Sequence, residues 1–477
     1  MNFLRPTLLA LGLLLASPLS GNELPSLGDA SSGIVSLQQE HALGSAWLSL
    51  LRSQAPQIDD PLIKEYVEAV VFRLAETSQL QDQRLQFILI KSPVLNAFAA
   101  PGGVIGVNGG LILYAQTEGE FASVLAHELA HLSQRHFARR LEAQKQMQLP
   151  VMAGMLAGII AAASGAGQAG MAAIMGSQAA AMREAQRYSR QNEQEADRIG
   201  IINLQQAGYD PRSMPSMFGR LLSQYRYDSK PPEFLMSHPI TESRIADTRS
   251  RAEQFPSGGI SDTLRYQLIR ARVQLIFEES AGLAAKRFRA LLDEDPQSAA
   301  ARYGLAIALQ KNADYKAAGQ ALAPLLSEAP DELIFNLVQI EIDTQNNQLD
   351  AAESRLQHLL SMYPRSYPLL QAKVNLQLKQ KKPTLAEQTL NSMLKLRPED
   401  PDIWYQVAEV RGQTGNIVGL HEARAEFFAL MGDYPQAIQQ LDFAKRRAMN
   451  NFPLASRLDA RQRQFMEKQA MIEEMMN

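Results

Sequence analysis

His127, Glu128 and His131 stand together in the stretch "LAHELAHLSQRH" (125–136), which closes on a third histidine, His136. On a helix, residues four apart point to one face, so His127 and His131 can present two imidazole nitrogens to one ion. Glu128 projects beside that ion, where it can take a proton from an attacking water and later pass it to a leaving amine. Zinc suits the pattern: it accepts nitrogen and oxygen ligands and lowers the pKa of a bound water to about 7. The chemistry indicated is metal-assisted hydrolysis. An incidental histidine-rich surface helix is the competing reading.

A catalytic zinc needs a third protein ligand. His136 fails as that ligand, because the extended HExxHxxGxxH pattern requires Gly at 134 and His at 137, where this chain has Gln134 and Phe137. The sequence therefore reads His136 as a polar residue further along the same helix. The better source is "NEQEAD" (192–197), some sixty residues on. Glu193 and Asp197 are four apart and can share a face: Glu193 as ligand, Asp197 as acceptor for the free ring N–H of a liganding histidine. Glu195 points elsewhere on that helix and is the less favoured ligand. Further on, "SHPITESRI" (237–245) offers His238 and Arg244. Either is a candidate to steady the oxyanion of a tetrahedral intermediate. His238 could instead cap the metal in a resting state, and a merely structural His–Arg pair is the plain alternative.

These residues need elements to hold them. Residues 30–80 read as helical, with "PLIKEYVEAVVFRLAE" showing three- and four-residue apolar spacing. A strand-like block follows in "RLQFILI", "NAFAAPGGVIGV" and "GGLILYA", broken by Pro93, Pro101-Gly102-Gly103 and Gly109-Gly110 into a small sheet with tight turns. Within it, "AAPGGVIGVN" (99–108) is a candidate edge strand for pairing with an extended substrate, or else an ordinary core hairpin. The histidine motif then sits on a helix whose start carries Glu118 and Glu120, matching the helix dipole. From Gln146 to Met182 the chain is uncharged and rich in Gly, Ala and Met. That segment reads as a pair of packed small-residue helices, a flap over the site, or a surface for peripheral contact with membrane or unfolded chains.

Beyond residue 260 a 34-residue period appears in Pro296, Pro330, Pro364 and Pro398, in Ala284, Ala318, Ala352 and Ala386, and in Ala306, Ile340, Val374 and Ala408. The register is that of tetratricopeptide repeats, about four of them stacked into a solenoid. The period slips at Gly432, and residues 450–477 read as a polar capping helix. The fold expected is α+β and mainly α. A zinc peptidase domain with a small sheet (about 30–255) precedes an α-solenoid (about 262–477).

A net charge of −3 argues against a nucleic-acid footprint. The absence of cysteine excludes a thiol nucleophile, a Cys-ligated zinc and any disulfide. The N-terminal "MNFLRPTLLALGLLLASPLSG" (1–21) has an early Arg and a short apolar run. It reads as a signal peptide cleaved between Ala16 and Asn22, directing the chain to a bacterial periplasm.

Together, "NAFAAPGGVIGVNGGLI", "VLAHELAHLSQRH", "NEQEAD" and "SHPITESRI", in this order and spacing, resemble the gluzincin family that includes the heat-shock and CAAX-prenyl membrane proteases. The exported chain with C-terminal repeats is similar to periplasmic members of that family from Gram-negative bacteria. The resemblance implies one zinc per chain, held by His127, His131 and Glu193, with Glu128 as base and His238 covering the site. It also implies clients among unfolded or misassembled outer-membrane β-barrel proteins, a chaperone-like role, and repeats that engage the β-barrel assembly machinery. Unlike the membrane-bound relatives, no robust spanning helices flank the motif, so a soluble or peripheral protein is expected.

Overall fold

The structure is a computed structural model that describes residues 36–143, 182–225 and 232–476. The expected signal peptide lies outside the described residues, as does the uncharged 146–182 segment up to its last residue. Two helices open the described chain. In α1 (Leu37–Gln54), Ser36 and Gln39 cap each other reciprocally; α2 (Pro61–Glu76) starts on an Asp60 cap with Pro61 behind it.

Three short strands follow: β1 (Gln86–Ile90), β2 (Ala97–Ala100) and β3 (Val104–Asn108). β3 is central, parallel to β1 and antiparallel to β2. The expected edge strand over 99–108 is thereby corrected: within that stretch only the end of β2 lies at an edge, because β3 is paired on both sides. The turn between β2 and β3 needs its glycines. Gly102 has φ 74° and sits so close to α1 that a Cβ would fall 2.3 Å from Glu40 O. "GGLILYA" is a second correction. It forms helix α3 (Gly109–Tyr114) rather than a strand. Six apolar residues fit either state, and here Gly110 packs against the Pro93 and Val94 carbonyls, where no side chain fits.

The motif helix α4 (Glu118–Ser133) is capped by Thr117, whose hydroxyl accepts from Glu120 N at 3.3 Å. It ends sooner than the sequence suggests: Arg135 turns left-handed at φ 49°, and a new helix α5 (His136–Ala143) begins. His136 is thus not further along the same helix. α6 (Met182–Gln206) then lies along α4, and Gly200 allows the approach: a Cβ there would come within 3.2 Å of His127 N. α7 (Ser213–Tyr225), α8 (Glu233–Ser237) and α9 (Glu242–Ala252) complete this part, with α9 packed on both α6 and α7.

The remaining chain is a stack of antiparallel helix pairs: α10 (Leu264–Phe277) with α11 (Ala281–Glu294), α12 (Ala299–Lys311) with α13 (Tyr315–Glu328), and α14 (Leu333–Gln345) with α15 (Leu349–Met362). Then come α16 (Tyr367–Lys379) with α17 (Pro383–Leu396), α18 (Pro401–Gln413) with α19 (Ile417–Leu430), and finally α20 (Tyr434–Arg447) with the long α21 (Phe452–Met476). The periodic alanines are buried on the second helices and the periodic prolines lie in the turns between pairs. Turn residues Ala313, Asn347, Lys381 and Gly415 repeat a left-handed conformation at the same interval.

The two parts share one core. Tyr266 of α10 is fully buried against Tyr66 and Phe121, and its hydroxyl donates to Ala115 O at 2.9 Å. Farther along, Arg397 donates to both oxygens of Glu68 on α2 at 2.7 and 2.5 Å, and Lys64 pairs with Asp402. Among the described residues, no helix is long and apolar enough to cross a membrane.

Gly200→Val adds branched volume where α6 touches the α4 backbone. It is expected to destabilise the fold by about 1–3 kcal/mol in thermal or urea unfolding and to weaken metal uptake, since α6 carries the acidic side of the site. A variant as stable and as metal-competent as the wild type would show that this contact does not set the spacing.

Candidate metal centre

One ring nitrogen each from His127, His131 and His238 and a carboxylate oxygen of Glu193 lie within 4.8 Å of one another. α4 supplies the first two, α6 the carboxylate, and the loop after α8 supplies His238. Five separations lie between 3.1 and 3.4 Å, with His127 and His131 meeting different oxygens of Glu193. His127 Nε2 is 3.1 Å from His131 Nε2 and 3.3 Å from both His238 Nδ1 and Glu193 Oε2. His131 Nε2 is 3.4 Å from Glu193 Oε1, and His238 Nδ1 is 3.1 Å from it. Four ligands at the usual zinc bond length of about 2.0–2.1 Å would stand about 3.3 Å apart at the corners of a tetrahedron. The donor types and their spacing fit zinc.

Glu128 lines the same space and is almost fully buried. Its Oε2 accepts from Ala99 N, on edge strand β2, at 2.9 Å, and its Oε1 is 3.4 Å from His238 Nε2. Burial pushes the Glu128 carboxyl up, opposed by His238 and His127. A base held this way can accept a proton and give it back.

Comparison with known proteins joins this geometry. Residues 61–252 match Peptidase family M48, and residues 278–339 and 344–410 match the Tetratricopeptide repeat family. The Beta-barrel assembly-enhancing protease of Escherichia coli strain K12 is 34% identical over 448 residues, covering 93% of this chain and 91% of that protein. A Putative beta-barrel assembly-enhancing protease from Vibrio cholerae is 34% identical over 455 residues, covering 93% and 92%. The Mitochondrial metalloendopeptidase OMA1 of Schizosaccharomyces pombe is 29% identical over 180 residues, 38% of this chain and 50% of that one.

The chain belongs to peptidase family M48. It is a zinc metalloprotease carrying tetratricopeptide repeats.

The other residues singled out in this metalloprotease surround the cluster. Asp197 Oδ1 lies 3.0 Å from His127 Nδ1, on the far side of the ring from Glu193. Arg244 corrects an expectation. It donates to both oxygens of Asp197 at 2.7 Å and to Pro239 O at 2.8 Å, lies 3.1 Å from Glu193 Oε2, and covers the Phe218 ring. Arg244 therefore holds the carboxylates in place. His136 corrects another. Brought back by the break at Arg135, its Nδ1 lies 2.8 Å from His131 Nδ1, and its Nε2 lies 3.1 Å from Glu195 Oε2. The sequence carries no sign of that break, so neither His136 nor Glu195 stands out before the fold is known.

Burial and charge divide the protons between the two motif histidines. Burial opposes a charge on His127, but Asp197 and Glu193 outweigh it and push its pKa up to about 10. Burial dominates at His131, which is pushed down to about 3 with the charged His127 beside it. A metal ion that uses His127 must displace its proton. Below pH 10 each unit of rising pH removes roughly nine-tenths of that competition, so zinc affinity is expected to rise roughly tenfold per unit between about pH 6 and 9. Calorimetry in buffers of differing ionisation enthalpy should register one proton released per ion; an affinity independent of pH would contradict a protonated His127.

Proposed function

We propose that this chain is a periplasmic zinc endopeptidase that removes unfolded or misassembled outer-membrane β-barrel proteins and supports their assembly. The observation that carries the chemical part is the convergence of His127, His131, Glu193 and His238 within 4.8 Å of one another, with Glu128 beside them. In this reading His127, His131 and Glu193 hold the ion. Zinc bound there polarises the scissile carbonyl and lowers the pKa of a water to about 7. Glu128 accepts the proton of the attacking water and returns it to the leaving amine. Asp197, fixed by Arg244, keeps the His127 ring in the tautomer that leaves Nε2 free.

The edge of β2 suits extended clients. Asn108 N donates to Asn96 O, so the ladder alternates; of the groups that face away from β3, Ala99 N already donates to Glu128 and Ala97 is buried, which leaves the Ala99 carbonyl to accept from a client backbone. An unfolded strand can pair there through backbone hydrogen bonds, indifferent to side-chain identity, with its scissile bond close to Glu128. A β-barrel chain that has not closed exposes such strands. The names of the bacterial relatives support the assembly role, and the repeats are the natural surface for the barrel-assembly machinery or its clients.

His238 favours a second reading. Its Nδ1 stands at the fourth corner of the cluster, 3.1 Å from both Glu193 oxygens, the position an attacking water needs. The resting chain would then be a self-capped enzyme, or an assembly scaffold whose site stays silent. His238→Ala separates the two: faster cleavage of casein or a client indicates a capped enzyme, and unchanged inactivity indicates a scaffold. Glu128→Gln is expected to keep one zinc per chain while losing at least about a hundredfold in proteolysis. Wild-type cleavage by that variant would sink the mechanism.

A further inference from the structure

The two motif histidines have their second ring nitrogens held in different ways. His127 Nδ1 meets a carboxylate directly, Asp197 at 3.0 Å, which Arg244 holds in turn. His131 Nδ1 meets another imidazole, Nδ1 of His136 at 2.8 Å. His136 Nε2 lies 3.1 Å from Glu195 Oε2, and Arg139 Nη1 donates to the same oxygen at 3.0 Å. Both chains end in a carboxylate of α6 paired with an arginine, and the His131 chain is longer by one imidazole ring.

We propose that His136, backed by Glu195 and Arg139, is a positioning residue that fixes the tautomer and ring orientation of His131 and thereby tightens zinc binding. The inference rests on the ligand set proposed above. A histidine that offers Nε2 to a metal is neutral and carries its proton on Nδ1. Toward His131, His136 must then accept, so its own Nδ1 is bare and its proton sits on Nε2. That proton points at Glu195 Oε2, the same oxygen that accepts from Arg139 Nη1. Each partner thus dictates the tautomer of the next. In the opposite tautomer of His136, two N–H groups would face each other across 2.8 Å.

The backbone is arranged to permit this contact. A left-handed residue other than glycine costs roughly 1–2 kcal/mol, and Arg135 adopts that conformation at φ 49°. The buried ion pair from Arg135 to Glu40 at 2.9 Å holds it there. The turn returns His136 over the end of α4, where it is 5% exposed.

The test is zinc affinity of the full chain, measured by competition with a chromophoric chelator, together with the visible spectrum of the cobalt-substituted protein. His136→Leu is expected to weaken zinc binding about ten- to a hundredfold and to shift the cobalt bands, while the unfolding midpoint of the metal-free protein stays put. His136→Gln can accept from His131 through its carbonyl and donate to Glu195 through its amide; it should restore affinity to within about threefold of wild type. Should the Leu variant fold poorly, Glu195→Gln keeps the volume and removes the charge, with an expected loss of about three- to tenfold. Wild-type affinity in His136→Leu, in Glu195→Gln if the Leu variant does not fold, or no recovery in His136→Gln, would overturn the proposal. Glu193→Ala is the control on the ligand set: it should abolish binding. If it binds zinc as the wild type does, that reading fails first and the positioning role falls with it.

Discussion

Buried charge is the constraint on which the site depends. Glu128, Glu193 and Asp197 are each almost fully buried, each beside a ring nitrogen of His127 or His238. An uncompensated ion in such a place costs several kcal/mol even after relaxation. Arg244 neutralises one of the three, bridging Asp197 and Glu193. Two negative charges remain, which is what a divalent cation supplies when the histidines are neutral. Without the ion, the same imbalance drives a proton onto His127. The requirement explains why four separate pieces of chain must converge: α4 for the histidines, α6 for the carboxylates, the loop after α8 for His238, and α9 for Arg244. It also explains why α6 meets α4 at a glycine, since a larger residue would hold the carboxylates away from the rings.

The solenoid is tied mechanically to this arrangement. α2 packs against α4 and also carries Lys64 and Glu68 to Asp402 and Arg397 of the repeats. The guanidinium of Arg397 also lies over the Tyr367 ring, so the contact joins charge with aromatic surface. Tyr266, on the first repeat helix, sits in the same core as Phe121 of the motif helix. A client held by the repeats would therefore be held in a fixed relation to the catalytic groups.

What could be read in the sequence was whatever depends on local periodicity. Four-residue spacing put His127 with His131 and Glu193 with Asp197 on common faces, and the 34-residue register marked about four of the six helix pairs. What could not be read depended on how separate elements meet. "GGLILYA" is too short and too apolar for its period to distinguish helix from strand. Which of two adjacent strands lies at an edge depends on β1, a distant partner. Arg244 stands two turns from His238, but spacing says nothing of Asp197 waiting on another helix. His136 followed from a single left-handed residue that no composition signals.

Diffraction at the zinc absorption edge from the full chain tests the central claim most directly. The account predicts one anomalous peak, about 2.0–2.2 Å from His127 Nε2, His131 Nε2 and a Glu193 oxygen. A peak instead between His136 and Glu195, or one with no contact to Glu193, would contradict it.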